Sequence, residues 1–242
     1  MQHDAAPWIV TAYTSGTWLY GLVAVLLIVE AAAPLRRNAG DSPRRWALHA
    51  ALYVVAALLA WGLAGALAQL GVLIRGAPPA PWAGWWHLAL MLLALDAATY
   101  AMHRINHRVA LLWRFHSLHH ADTMLDIGTT VRHHPAEVVI SGLATGLVAL
   151  ALGARPTEVA AYAVLSLTVQ IAAHANLRFP PGFGWLSAVL ITPSLHHLHH
   201  APEVRDTDSN YGQVLGVWDR LFGTYNPPRS PVERFGLDPA GR

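Results

Sequence analysis

The chain has 242 residues, of which 54% are hydrophobic and only 12% charged. Soluble domains carry roughly a quarter charged residues, so the shortfall points to a bilayer as solvent. The formal charge of +2, with arginines dispersed along the chain, excludes a nucleic-acid-binding stripe, and the absence of cysteine excludes disulfides, Cys-ligated zinc and iron–sulfur clusters.

Residues Met1 to Gly16 carry no Arg or Lys and so lack the basic start of a signal peptide. Thr17 to Ala33 is almost uniformly apolar, ends at Pro34 and is followed by Arg36, Arg37, Arg44 and Arg45. A second apolar run covers Trp46 to Leu70. A loop with Arg75, Pro78, Pro79 and Pro81 leads to the third, Gly84 to about His103, which Trp82, Trp85 and Trp86 open as an interfacial belt would. Runs of roughly 17–25 residues suffice to cross about 30 Å of hydrocarbon.

Ala136 to Leu152 and Thr157 to Ala173 are a further apolar pair joined by Gly153-Ala154-Arg155-Pro156, which reads as a helical hairpin over 136–173. Gly142, Gly146 and Gly153 leave open whether it spans or dips in and returns. Trp185 to Ile191 is too short to span and reads as interfacial, and the Pro- and Arg-rich tail over 227–242 reads as loosely ordered. The expectation is one all-α, integral membrane domain over 1–242. It has four to five transmembrane or hairpin helices and a cytoplasmic helical cap, with the metal site on 103–134 and 174–225. Arginine counting puts the N-terminus outside and the histidines and C-terminus in the cytoplasm. Because all sixteen basic residues are Arg and Ala is abundant, the composition suggests a GC-rich bacterium and hence its inner membrane.

Twelve of the fifteen histidines fall between His103 and His200. His103 and His107 form an HxxxH, His116, His119 and His120 an HxxHH, His174 stands alone, and His196, His199 and His200 form a second HxxHH. Spacing of i, i+3 and i+4 turns rings to one side of a helix. Neutral imidazole suits zinc, copper, iron and nickel, and two metals with four or five nitrogens each need roughly eight to ten histidines. The nine named here meet that need. A ligand-rich pair of metals at a membrane surface suits O₂ activation better than zinc, which is redox-inert.

The chain resembles the fatty acid hydroxylase / sterol desaturase superfamily of membrane-bound di-iron enzymes. The residues that carry the resemblance run from about Asp96 to Tyr225. They are Asp96, Tyr100, His103-Arg-x-x-His107, Leu112-Trp113-Arg114-Phe115-His116-x-x-His119-His120 and Arg132-His133-His134-Pro135-x-Glu137. Gln170 with His174 and Asn176, Thr192-Pro193 with His196-x-x-His199-His200, Asn210-Tyr211-Gly212 and the run Trp218 to Thr224 complete them. The resemblance implies two iron ions (zinc being a possible substitute), O₂, a lipid substrate that is hydroxylated or desaturated, and electrons from a separate reductase or a ferredoxin- or cytochrome-type donor. The chain shows no haem segment, so the expected donor is an external protein. A carotenoid-type ring hydroxylase is the alternative within the class. A membrane metal-binding or transport protein is the alternative outside it, disfavoured because nearly all the histidines sit at helix ends.

Around the metal, Asp96 lies seven residues before His103 on the same helix face and is expected to accept its second N–H. His134 and Asn210 are expected as hydrogen-bonding partners near the site. His133 and His197 read as neighbours, His3, His49 and His87 as structural or interfacial, and Asp219 with the run around it as closing the cap.

Overall fold

The structure, a computed structural model, describes residues 18–36, 42–76, 84–228 and 231–238. The expectations for the N-terminal segment with His3, for Thr17, Arg37, the three loop prolines and Trp82, and for residues 229–230 and 239–242 of the tail lie outside these.

Helix α1 covers Trp18–Ala32, within the first apolar run. Helix α2, Pro43–Arg75, is longer than its expected core of 46–70. Ser42 caps it by accepting from the Arg45 N–H, Pro43 fits its first turn, and Gly76, at φ 71°, ends it. Its 33 residues reach about 50 Å, well beyond the hydrocarbon thickness. Its most apolar stretch has no buried residue, and Trp61 is 80% exposed. An apolar helix that faces outward in this way needs lipid as its solvent.

Helix α3, Trp85–Arg108, continues past the expected end at His103, so the HxxxH pair lies inside it. Helix α4, Ala110–His120, follows a one-residue break at Val109. After a 3₁₀ turn at Ile127–Val131 come α5, Pro135–Ala151, and α6, Pro156–His174, the expected hairpin with Gly153 at φ 73° in its tip. Gly142 and Gly146 let α5 approach α2 closely. A Cβ on Gly142 would lie 2.8 Å from Leu63 Cδ2, and one on Gly146 would collide with Leu67. Among the described residues α2, α3 and α6 are long and apolar enough to cross a membrane, while α1 and α5 are shorter apolar helices.

A 3₁₀ segment at Pro181–Ala188 exposes Phe183 and Trp185 over the start of the expected interfacial stretch. The short helices α7, Pro193–His199, α8, Val204–Thr207, and α9, Val217–Leu221, build the cap. Part of the tail is docked rather than loose: the Phe235 ring lies 5.8 Å from that of His197 and under the Arg36 guanidinium at 4.8 Å.

The C-terminal end of α3, the N-terminal end of α5 and the C-terminal end of α6 meet at the cap. Arg45 joins them there, donating to Asp122 and Asp126 at 2.9 and 2.7 Å. At the opposite end Arg75 donates to Leu150 O, and Glu158, fully buried, holds His87 at 2.7 Å and Arg155 at 3.3 Å.

Candidate metal centre

Helix geometry sorts the nine histidines. Residues four apart share a helix face, whereas consecutive residues point about 100° apart. His103 with His107, His116 with His120, and His196 with His200 therefore stay together, while each His-His doublet splits. The rings of His119 and His120 are 88° apart in plane, as are those of His199 and His200. Two groups result: His103, His107, His116, His120 and His199, and His119, His174, His196 and His200, each with ring nitrogens within 4.8 Å of one another. Both HxxHH boxes feed both groups.

The ring nitrogens show what these groups can hold. His103 Nδ1 lies 2.9 Å from Tyr211 O, His199 Nδ1 2.7 Å from Ser209 O, and His174 Nδ1 2.8 Å from Gln170 O. A carbonyl only accepts, so each Nδ1 carries the proton, and in a neutral ring Nε2 is left as a lone pair. Yet His103 Nε2 and His199 Nε2 are 3.1 Å apart, and His174 Nε2 lies 3.2 Å from His119 Nε2 and 3.0 Å from His196 Nε2. Both Nε2 atoms of the His103–His199 contact present lone pairs, and facing lone pairs repel unless a cation lies between them. Imidazole nitrogens about 2.1 Å from one metal, at right angles, stand about 3 Å apart. Burial, reinforced by neighbouring imidazoles, holds His119, His120, His196, His199 and His200 well below the ordinary imidazole range, so these rings are neutral donors. Nε2 of His116 and His120 and both nitrogens of His200 are buried without a hydrogen-bond partner among the described residues. The donor set fits a pair of cations.

Residues around the groups fix ring orientation, not always as expected. Asp96 does not accept from His103, whose Nδ1 is committed to Tyr211 O. Instead Asp96 accepts from Val214 N, Leu215 N, Trp218 Nε1 and Tyr162 Oη at 3.0, 3.0, 2.8 and 3.1 Å, pinning the cap loop to α3 and α6. Tyr211 lies on that loop, so Asp96 reaches His103 only through the backbone. His134 faces away from both groups: its Nδ1 accepts the Ala136 N–H at 3.1 Å, capping α5, and its ring stacks on Phe115. Asn210, left-handed at φ 54°, donates to Asn226 O at 2.8 Å and braces the cap, with no hydrogen bond to a histidine among the described residues. Asp219 accepts from Tyr211 N, Gly212 N and Thr224 Oγ1, which closes the same loop.

The residue that sequence reasoning left without a role is Glu137. Its Oε1 accepts from His116 Nδ1 at 2.7 Å and His133 Nδ1 at 3.1 Å, and His133 stacks on His119 with centroids 4.4 Å apart. An acid in the first turn after His133-His134-Pro135 is the signal that could have flagged it. The carbonyls of Gln170, Ser209 and Tyr211 had no signal in side-chain identity.

A cavity of about 460 Å³ lies between α3, α5 and α6 and reaches members of both groups, including His103, His116, His119 and His174. Its walls combine apolar residues such as Met102, Val138, Ala163 and Leu167 with eight hydroxyl and amide side chains. Residues 88–224, from α3 to the end of the cap and including all nine histidines, match the fatty acid hydroxylase family.

The chain belongs to this family.

Over 161 residues it is 31% identical to the ornithine lipid hydroxylase of Rhizobium tropici, covering 66% of this chain and 48% of that protein. It is 31% identical to the alkylglycerol monooxygenase of Danio rerio, over 63% of this chain and 33% of that protein. It is 30% identical to a fatty acid hydroxylase of Lecanicillium sp, over 58% of this chain and 43% of that protein. The chain thus spans less than half the length of these relatives. No solved structure matches it. The family match leaves out α1 and α2, which the fold brings against the hairpin and the metal end.

Proposed function

We propose that this chain is a membrane-embedded lipid hydroxylase whose nine clustered histidines hold two iron ions. The observation that carries the reading is the pair of His groups whose Nε2 atoms face one another at about 3 Å beside a largely apolar cavity. Bound there, the metals would supply O₂ activation and C–H cleavage, with electrons from a separate reductase or ferredoxin- or cytochrome-type protein. Zinc could occupy the same nitrogens without redox chemistry.

The chain's own residues do the rest. The carbonyls of Gln170, Ser209 and Tyr211 hold the Nδ1 protons of His174, His199 and His103, and Glu137 holds that of His116. The cavity takes the lipid between α3, α5 and α6 and keeps bulk water from the reacting carbon. The names of the relatives, hydroxylases and monooxygenases of lipids, favour hydroxylation over desaturation. Arg36 and Arg45 sit at the histidine end while, among the described residues, Arg75 and Arg155 mark the other, which supports a cytoplasmic metal site and an outside N-terminus in a bacterial inner membrane. A single domain over 1–242 accommodates this arrangement.

Metal analysis of purified protein is expected to give about two irons per chain. Lipid mass spectrometry of a strain lacking the protein should show loss of a species and gain of one lighter by an oxygen. Protein that holds only zinc and shows no iron-dependent O₂ consumption would falsify the oxygenase reading.

A further inference from the structure

The polar side chains of the cavity fall into two kinds. Those further from the histidines are satisfied within the protein: Thr145 Oγ1 donates to Ser141 O at 2.9 Å, Thr99 Oγ1 to Leu95 O at 3.1 Å, and Gln213 Nε2 to Ser166 Oγ at 3.1 Å. At the metal end two oxygens differ. Thr130 Oγ1 and Glu137 Oε2 are buried without a partner among the described residues, on side chains only 7% exposed that line the cavity. Thr145 lies two turns further along α5 than Glu137, about 12 Å away. Both oxygens belong to the end of the cavity where Glu137 also holds His116.

We propose that Glu137 Oε2 and Thr130 Oγ1 together bind a hydrogen-bond donor of the lipid, a hydroxyl or amide N–H, so that the carbon oxidised lies a few bonds from the polar end of the substrate. This deepens, and rests on, the reading of the site as a lipid hydroxylase. A carboxylate oxygen only accepts, so the ligand must donate to it, whereas the Thr130 hydroxyl can accept or donate. An unpartnered buried acceptor is costly, and a site built to bond an O–H or N–H rejects the analogue that lacks it. The self-satisfied hydroxyls further down ask nothing of the ligand and leave that part of the cavity to its hydrocarbon tail. The polar group is thus anchored beside the metal groups and the tail points away from them.

The test is direct binding to the full-length, zinc-loaded protein in lipid nanodiscs, where no turnover occurs. The probes are 1-O-hexadecylglycerol and hexadecyl propyl ether, the same skeleton without its hydroxyls. The hydroxylated probe is expected to bind at least roughly tenfold more tightly. Thr130→Val should reduce that ratio several-fold with zinc content unchanged, Thr130→Ser should restore it, and Glu137→Gln should reduce it independently. Equal binding of the two probes, or a ratio untouched by both Thr130→Val and Glu137→Gln, overturns the proposal. So does oxidation mapped to the methyl end of a turned-over lipid. Protein that shows the preference but oxidises no lipid when loaded with iron would instead sink the oxygenase reading and leave the donor site standing.

Discussion

Helix α2 turns its apolar side chains outward along most of its length, with Trp61 80% exposed. Helix α7 does the reverse with polar ones: His196, His197 and His199 are 1%, 5% and 0% exposed. In α2 the surroundings supply the apolar contact, and what the helix requires is length and the absence of charge. In α7 each imidazole needs a named partner, such as Ala175 O for His197 Nε2 and Ser209 O for His199 Nδ1. A lipid-facing position should therefore tolerate substitution by any apolar residue, whereas a cap position should tolerate almost none. Trp61→Leu is the reference for the first kind, expected to change stability by no more than about 0.5 kcal/mol.

The sharpest contrast with that reference should come from His199→Ala. It removes a ring that closes the five-residue group and leaves His103 Nε2 without its facing partner. At least one equivalent of metal should be lost by elemental analysis, with activity falling to background. Retention of full metal content would break the assignment of His199 as a ligand.

Asp96→Ala comes next. It strands two backbone N–H groups and the Trp218 indole, at a cost on the order of 3 kcal/mol or more, read as a fall in the thermal midpoint in detergent. Its secondary effect should be weakened metal retention, because Tyr211 would no longer be held against His103. If metal is lost while the midpoint is unchanged, Asp96 acts on the site directly rather than through the loop.

Gly146→Val probes a place where α2 packs tightly against α5. The added side chain meets Leu67 and should push α2 from α5, costing about 1–3 kcal/mol. Gly62 and Gly65 of α2, with open space at Cβ, should accept alanine without loss. Next comes His134→Ala, which removes a helix cap worth about 1 kcal/mol and should leave metal content unchanged. Loss of metal in that variant would restore His134 to the site.

Much of this molecule was legible before any coordinates. Uninterrupted apolar runs announced the membrane helices, because a bilayer imposes a length and a polarity that appear directly in the residues. The Gly153-Ala154-Arg155-Pro156 link announced the hairpin, because so short a connection leaves the two helices no other way to pack. Clustering of the histidines marked the candidate metal end, because apolar helices have little other use for that many imidazoles.

What the sequence alone could not decide was the company each side chain keeps. Periodicity put Asp96 and His103 on one face of α3, but the loop from Val214 to Trp218 arrives from more than a hundred residues away and supplies three of the four hydrogen bonds Asp96 accepts, Tyr162 supplying the other. His134 stood in a histidine-rich motif, yet its place immediately before Pro135 makes it a helix cap. Spacing showed that each HxxHH box could present rings together; only the packing of α3, α4, α6 and α7 determined that each box divides between two groups. The nine histidines, as a set, belong to the sequence, because residue type and spacing are local. Their partition into five and four, and the carbonyls and carboxylate that orient them, belong to the tertiary structure, because hydrogen-bond partners are chosen by proximity in space.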